Sequence, residues 1–305
     1  MSSEYGDSTD AVCVGETMAL LVPDPPESGG RAASFRRELG GAESNVAIHL
    51  ARAGRAATWH GVLGTDGFGD YIAERLASEG VACTARRHPQ YPTGLYLKEL
   101  SPTGTQVRYY RQGSAGATLA PHDAEAIRRR HARVLHTTGI TAALSESAHE
   151  LVKLLLRQRA AGTLRTFDVN YRPALHDNAS GDMLAELARQ ADVVFCGLDE
   201  AQALWNLSTA EQVRKLLPEP GIVIVKQGAD GATAFAEGQS WFQPAPAVDV
   251  VEPVGAGDAF AAGVLHGLLD SAPIADCLAQ GSRLAGQALQ VDGDIPAVCE
   301  TVRES

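Results

Sequence analysis

Pro253-Val254-Gly255-Ala256-Gly257-Asp258-Ala259-Phe260-Ala261 is the stretch on which the reading of this chain turns. Two glycines flank an alanine, an acid follows at once, and an apolar helical pattern runs on to Leu269. Glycines just before a helix let bare backbone N–H groups converge on an anion. The carboxylate stands where a hydroxyl approaching that anion would lose its proton. An anion cradle with a base beside it points to phosphoryl transfer to an alcohol. Taken alone, the stretch also reads as an ordinary helix start, because Asp is favoured there for structural reasons. The common phosphate signatures are absent. No G-x-x-x-x-G-K-[ST] occurs, and Gly257 lacks the third glycine of G-x-G-x-x-G.

Composition narrows the classes. The 305 residues are 45% hydrophobic with 31 glycines and 6% aromatics, as in an α/β enzyme of one large domain or two small ones. The formal net charge of -11 argues against a nucleic-acid partner, which needs a basic face. An acidic chain that handles phosphates must gather a few cations at its site, with a metal among them. Five scattered cysteines (Cys13, Cys83, Cys196, Cys277 and Cys299) form no C-x-x-C pair. Neither a zinc site nor a disulfide framework is indicated, and a reducing cytoplasm is expected. Residues 1–10 are polar, lack the order of a signal peptide and are expected to be a disordered tail. No apolar stretch is long enough to cross a bilayer, so no membrane partner is expected.

Residues 11–14 read as a buried strand, and 41–53 have helical periodicity with Gly54 as a stop. Strand-like and helical runs then alternate: 135–138 before 145–159, 164–169 before a helix around 181–189, and 193–196 before 199–205. A strand over 222–225 and helices over 258–269 and 274–290 follow. That alternation predicts a mainly parallel sheet covered on both faces, with ligands outside the carboxyl ends of its strands. Asp168, Gly228 and Gly255 lie at such ends and are expected to share one crevice. Two stretches break the pattern. Residues 16–39 carry few helix signals, and 93–111 alternate around Pro102-Thr103-Gly104 as a hairpin. Both are expected to form a small β lid on a single domain over 11–305.

Four further segments carry candidate chemistry. In Gly40-Gly41-Ala42-Glu43-Ser44-Asn45 the glycines permit close approach of a ligand, and Asn45 offers donor and acceptor groups. A tight turn with an exposed Asn explains the same residues. In Asp168-Val169-Asn170-Tyr171-Arg172-Pro173, strand spacing places Asp168, Asn170 and Arg172 on one face, an awkward structural choice without a ligand. In the lid, Tyr109 and Arg111 share a face beside Tyr96 on the paired strand. Hydroxyl-bearing rings with one guanidinium describe a pocket for a small polar anion such as a sugar acid, and equally describe cross-strand packing. In Lys226-Gln227-Gly228-Ala229-Asp230-Gly231 the turn could lie against a nucleotide, with Lys226, Gly228 and Gly231 as candidates, or be a plain hairpin turn.

Together these segments resemble the ribokinase-like (PfkB-type) carbohydrate kinases over nearly the whole chain from Ala11 onward. Gly40-Gly41 with Asn45 and Ala47 is similar to the family's sugar-binding signature. Gly61-Val62-Leu63-Gly64-Thr65-Asp66-Gly67-Phe68-Gly69 is similar to its glycine-rich companion, and Gly255-Ala256-Gly257-Asp258 to its C-terminal signature. Within the family, Tyr109-Tyr110-Arg111 with Gly113-Ser114-Ala115, and Asp168 to Arg172, resemble 2-keto-3-deoxygluconate kinases. The resemblance implies a three-layer α/β/α sandwich with a β-sheet lid, ATP and Mg²⁺ as cofactors, and sugar-acid contacts from Gly41, Tyr96, Tyr109, Arg111 and Arg172. It implies Asp258 as the base and Gly255, Ala256 and Gly257 as an anion hole that also meets the nucleotide. Asp258 is expected to have a low pKa beside its helix N-terminus.

Three positions depart from the family pattern. Glu252 stands where many members have Asp, Val254 where many have Thr, and Gly197 where a metal-linked motif has Asn, although Glu200 of that motif remains. Monovalent-cation activation and the metal network are therefore open, with Glu200 a candidate behind the metal's waters. Rival readings are a fructokinase, a ribokinase, a 2-keto-3-deoxygalactonate kinase or a non-catalytic sensor. An exposed lid edge is expected to be covered by a second copy in a homo-oligomer.

Overall fold

The computed structural model describes residues 9–24, 31–101, 104–176 and 180–290. Its strands are β1 (Ala11–Val14), β2 (Met18–Pro23), β3 (Phe35–Gly40), β4 (Ala57–His60), β5 (Val62–Gly64), β6 (Ala82–Cys83), β7 (Arg86–His88), β8 (Leu95–Ser101), β9 (Gly104–Tyr110), β10 (Val134–Thr138), β11 (Leu164–Asp168), β12 (Val193–Gly197), β13 (Ile222–Lys226), β14 (Gly231–Ala236) and β15 (Gln239–Pro244). Its helices are α1 (Ala42–Arg52), α2 (Gly67–Ser78), α3 (Ala124–Arg128), α4 (Gly139–Ala142), α5 (Glu146–Arg157), α6 (Ser180–Ala188), α7 (Leu198–Trp205), α8 (Ala210–Leu216), α9 (Ala256–Leu269) and α10 (Ile274–Ala288).

Nine strands form the main sheet, in the order β15-β14-β13-β12-β11-β10-β1-β4-β6. From β13 to β6 the neighbours are parallel, while β14 and β15 extend one edge antiparallel. Side chains alternate across each strand, so the apolar runs feed two cores. Ala11 and Cys13 of β1, Val193 and Phe195 of β12, and Ile224 of β13 pack with α1, α2, α9 and α10. Val12, Val14 and Leu135 pack with α3 and α5 on the other face. Phe167, Val194, Val223 and Val225 continue that face against α5, α6 and α8. The result is the parallel sheet covered on both faces that the alternation predicted, in the three-layer α/β/α sandwich that the resemblance implied.

The lid is a separate sheet in the order β3-β2-β8-β9, with a small core of Met18, Leu20, Val22 and Tyr96. Its β8–β9 hairpin sets Tyr96 opposite Tyr109 and Ser101 opposite Gly104. The turn residues Pro102 and Thr103 lie outside the described residues, as do residues 1–8 of the expected tail. Thr9 and Asp10 correct that expectation. Thr9 is buried, its N–H bonds the Arg130 carbonyl, and the Asp10 carboxylate accepts the Ala56 N–H. Both belong to the folded body because a polar edge residue satisfied by neighbouring backbone has no reason to fray. Among the described residues no helix is long and apolar enough to cross a membrane.

Asp66 ties the lid to the sandwich. One carboxylate oxygen accepts the N–H groups of Phe68 and Gly69 and caps α2, and the other accepts the Thr93 N–H at 2.8 Å, just before β8. Burial works against its charge, but the N–H groups of Thr93, Gly69 and Phe68 outweigh it and hold the carboxyl below the usual value. A depressed folded pKa stabilises above the unfolded pKa and the benefit is lost on acidification. Asp66→Ala should therefore cost about 1–2 kcal/mol at pH 7. The gap to wild type should narrow as pH falls through the folded pKa, as read by urea unfolding at the two ends of that range.

Candidate active site

α9 begins with Gly255 at φ 82, a left-handed conformation that suits glycine, and no side chain caps the helix. The N–H groups of the first helical turn have no partner within the helix. They belong to Ala256, Gly257 and Asp258. Apolar residues from Ala259 to Leu269 bury the rest of α9 and fix the direction of its N-terminus. Asp258 is half-buried and does not cap its own helix. Its Oδ2 instead accepts a hydrogen bond from Asn45 Nδ2 at 2.8 Å, across 213 residues of sequence. Of the two readings open in the sequence, the plain helix cap is thereby removed.

The expected low pKa of Asp258 is corrected. Burial is the main cause that pushes its carboxyl up to about 7, and the charge of Asp168 adds to the rise. The Asn45 hydrogen bond, Arg172 and Lys226 oppose it without prevailing. The helix N-terminus is outweighed because the carboxylate sits in the cleft between α1 and α9 rather than in solvent.

Asp168 and Lys226 end β11 and β13, two strands apart across β12. Lys226 Nζ lies 2.9 Å and 2.7 Å from the two Asp168 oxygens. Burial disfavours the ammonium, but Asp168 and Glu200 more than compensate and raise its pKa. Glu200 Oε2 accepts the Gly197 N–H at 2.8 Å and so caps α7, while Oε1 faces the Arg172 guanidinium at 3.6 Å. Burial pushes the Glu200 carboxyl up, with Lys226 opposing.

The shared face expected for Asp168, Asn170 and Arg172 is also corrected. β11 stops at Asp168, and Asn170 adopts φ 43, a left-handed conformation that destroys strand alternation. Asp168 points to Lys226, Asn170 is buried, and Arg172 is half exposed against Glu200. The three still border one region, brought there by a bend instead of a strand. Gly228 opens a short 3-10 turn and Gly231 starts β14, so this segment connects antiparallel neighbours beyond Lys226.

At the lid, Tyr96 is buried and stacks on the exposed ring of Tyr109 at 5.5 Å. The Arg111 guanidinium lies 5.7 Å from the Tyr109 ring centroid. Arg111 is not a free cation. Its Nη2 pairs with Glu16, and Ser114 donates to the other Glu16 oxygen. Gly41 stands hard against the Glu16 carbonyl, where a Cβ would collide. Asn45 follows one turn later, with its N–H on the Gly41 carbonyl. The first turns of α1 thus connect the lid cluster to Asp258. Asn45 Oδ1 and Asn170 Oδ1 are buried acceptors with no hydrogen-bond partner among the described residues.

Sequence reasoning missed Glu16, although an acid directly after Gly15 at the end of β1 was a usable signal. It also missed Glu43, which lies wholly buried on α1 and takes hydrogen bonds from Thr138 and Thr141 at 2.7 Å. Burial raises its carboxyl pKa. Nothing in the sequence separates Glu43 from an exposed helix acid.

Comparisons with known proteins identify the family to which this fold belongs. Residues 8–300 match the family described as pfkB family carbohydrate kinase. The chain is 36% identical over 300 residues to a 2-dehydro-3-deoxygluconokinase of Bacillus subtilis, covering 94% of this chain and 91% of that one. It is 34% identical over 296 residues to a 2-dehydro-3-deoxygluconokinase of Thermoproteus tenax, covering 91% and 90%. The crystal structure of a PfkB protein from Polaromonas sp. JS666 superposes with a TM-score of 0.83 at 34% identity, covering 93% of this chain and 96% of that one. A match that runs through the lid, the sandwich and the α9 N-terminus alike leaves one conclusion: the chain belongs to the pfkB family of carbohydrate kinases.

Proposed function

We propose that this carbohydrate kinase transfers the γ-phosphoryl group of ATP to the C6 hydroxyl of 2-keto-3-deoxy-D-gluconate, giving 2-keto-3-deoxy-6-phosphogluconate. The observation that carries this reading is the Asp258 carboxylate, held by Asn45 beside the unpartnered N–H groups that open α9. Asp258 orients the hydroxyl and takes its proton, which at a pKa near 7 it can do directly. The Gly255–Gly257 backbone receives the transferring oxygens. Asn45 Oδ1 and Asn170 Oδ1 are free to accept sugar hydroxyls. Arg111 and Arg172 face the carboxylate end, with Tyr96 and Tyr109 against the carbon chain. The lid excludes water and so limits ATP hydrolysis.

The family implies ATP and a divalent metal ion. Among the described residues no group of three or more His, Cys, Asp or Glu could hold a metal by itself. Both Asp168 oxygens are held by Lys226, whereas Glu200 Oε1 has only the longer 3.6 Å contact with Arg172, which makes Glu200 the carboxylate with an oxygen to spare. That donor set fits Mg²⁺ carried on the nucleotide phosphates and reached from Glu200 through water, and the ion would supply charge neutralisation on those phosphates. Lys226, Gly228 and Gly231 then flank the nucleotide. Buried free thiols at Cys13 and Cys196 support a reducing, cytoplasmic location. Exposed Phe35 and Tyr110 on the lid support a homo-oligomer through that sheet.

One observation favours a second reading. Glu16 already compensates Arg111, so the lid offers less net positive charge than a free guanidinium would, and a neutral sugar becomes a competing acceptor. Arg111→Ala separates the two. For a sugar-acid kinase it should lower kcat/KM for the sugar acid roughly 10- to 150-fold, the worth of one charge-assisted contact, and touch neutral sugars far less. Equal losses would favour the neutral acceptor.

Asp258→Asn should lower turnover by about three orders of magnitude or more with substrate binding retained, since the base and the acceptor geometry act as one unit. The same variant should be more stable than wild type above pH 7. A carboxyl whose folded pKa is raised costs stability that is absent below its unfolded pKa and grows until the folded pKa is passed. Thermal melts across pH check this sign. In the wild type, kcat/KM should climb as pH rises through about 7. Asn45→Ala removes a hydrogen bond that favours the carboxylate, so the rise should move to higher pH.

A further inference from the structure

Lys226 has a geometry that its ion pair with Asp168 does not exhaust. An ammonium carries three N–H donors, and two are directed at Asp168, at 2.9 Å and 2.7 Å. On its remaining side stands the anion-hole backbone: a Cβ built on Gly257 would meet Lys226 Nζ at 3.7 Å. Among the described residues, its chain neighbours Ala256 and Asp258 aside, no other side chain comes within 4 Å of that point. The region also holds three carboxylates, Asp168, Glu200 and Asp258, which all act on this one ammonium. The other nearby cation, Arg172, is 48% exposed and already faces Glu200 at 3.6 Å, whereas the Lys226 side chain is 19% exposed.

We infer that Lys226 is a catalytic residue, which stays anchored on Asp168 and gives its third N–H to the phosphoryl group in transit at Gly257. The inference rests on the kinase reading above and deepens it by assigning the protein's own cation at the reacting phosphorus. In the step, the sugar hydroxyl oxygen bonds to the γ-phosphorus while the bond from that phosphorus to the ADP oxygen breaks. The hydroxyl proton passes to Asp258, and ADP leaves with the bonding electrons. Negative charge on the three equatorial oxygens and the departing ADP oxygen is met by the first-turn N–H groups of α9 and by the ammonium. A lysine suits this place because it acts as a compact point charge that needs no planar partner. Asp168 is then a positioning residue: it acts through Lys226 and holds the ammonium at the end of β13.

A double-mutant cycle tests this against a purely structural ion pair. Lys226→Met should lower kcat about 10²- to 10³-fold, with the KM for the sugar changed by no more than about threefold. A smaller but still clear further loss, about tenfold, should appear when Lys226→Met is added to Asp168→Asn, because the ammonium is then held less well but still lies beside Gly257. If Lys226 only balances Asp168, the loss disappears in the Asp168→Asn background, and that outcome overturns the inference. A binding measurement covers variants too slow to assay. Magnesium ADP with aluminium fluoride mimics the group in transit, and Lys226→Met should weaken its binding about 10²-fold relative to magnesium ADP alone. Equal weakening of both would also overturn it. Failure of the wild type to phosphorylate any sugar would instead remove the underlying kinase reading, so the two failures are distinguishable.

Discussion

The hydrogen bond from Asn45 to Asp258, 2.8 Å long between residues 213 apart, is the contact through which the parts of this molecule become one site. It spans the cleft between α1 and α9, whose apolar faces share a core with β1, β12 and β13. One turn before Asn45, Gly41 lies against Glu16, and Glu16 holds Arg111 of the lid. A single helix start therefore sets the distance between Asp258 and the lid cluster of Glu16 and Arg111. Moving α1 by a fraction of a turn would disturb both, because each contact is made by a short side chain or by bare backbone.

Charge explains why an acidic chain can handle phosphates. Its few cations near the site are each tied to an acid: Lys226 to Asp168, Arg172 to Glu200, and Arg111 to Glu16. Pairing offsets part of the cost of taking these charges out of water, whereas a lone buried cation or anion is costly. Asp258 is the exception. It has an amide for a partner instead of a cation, and burial, with the charge of Asp168 adding to it, lifts its carboxyl to about 7. A perturbed carboxyl at this place fits the proton-accepting role proposed for Asp258, in line with the tendency of perturbed groups to gather at functional sites.

Much of this was legible in the sequence, and the limits have physical causes. The alternation of apolar runs predicted the parallel sheet, because strands buried on both faces must read as β-branched clusters. The Gly255–Asp258 turn was legible because the left-handed φ 82 found at Gly255 suits glycine far better than other residues. The bend at Asn170 was not, since a period-2 pattern of polar residues looks the same whether or not the strand continues. The pairing of Arg111 with Glu16 and the raised pKa of Asp258 were hidden for a common reason. Both depend on which residue lies across a cleft, and that is set by packing between segments about 100 or 200 residues apart. The antiparallel strands β14 and β15 were underread because they lack β-branched clusters: Gly231–Ala236 is half alanine, and Gln239–Pro244 on the edge is half polar.

The most direct measurement offers the purified chain magnesium ATP with 2-keto-3-deoxygluconate, 2-keto-3-deoxygalactonate, fructose, ribose or no sugar. ADP release is followed in each case, and phosphorus NMR locates the new ester. The expected result is fastest ADP release with 2-keto-3-deoxygluconate and a single phosphate on its C6 oxygen. ADP release no faster than without sugar, or faster with a neutral sugar than with either sugar acid, would contradict the assignment of Asp258, Arg111 and Arg172 to a sugar-acid kinase.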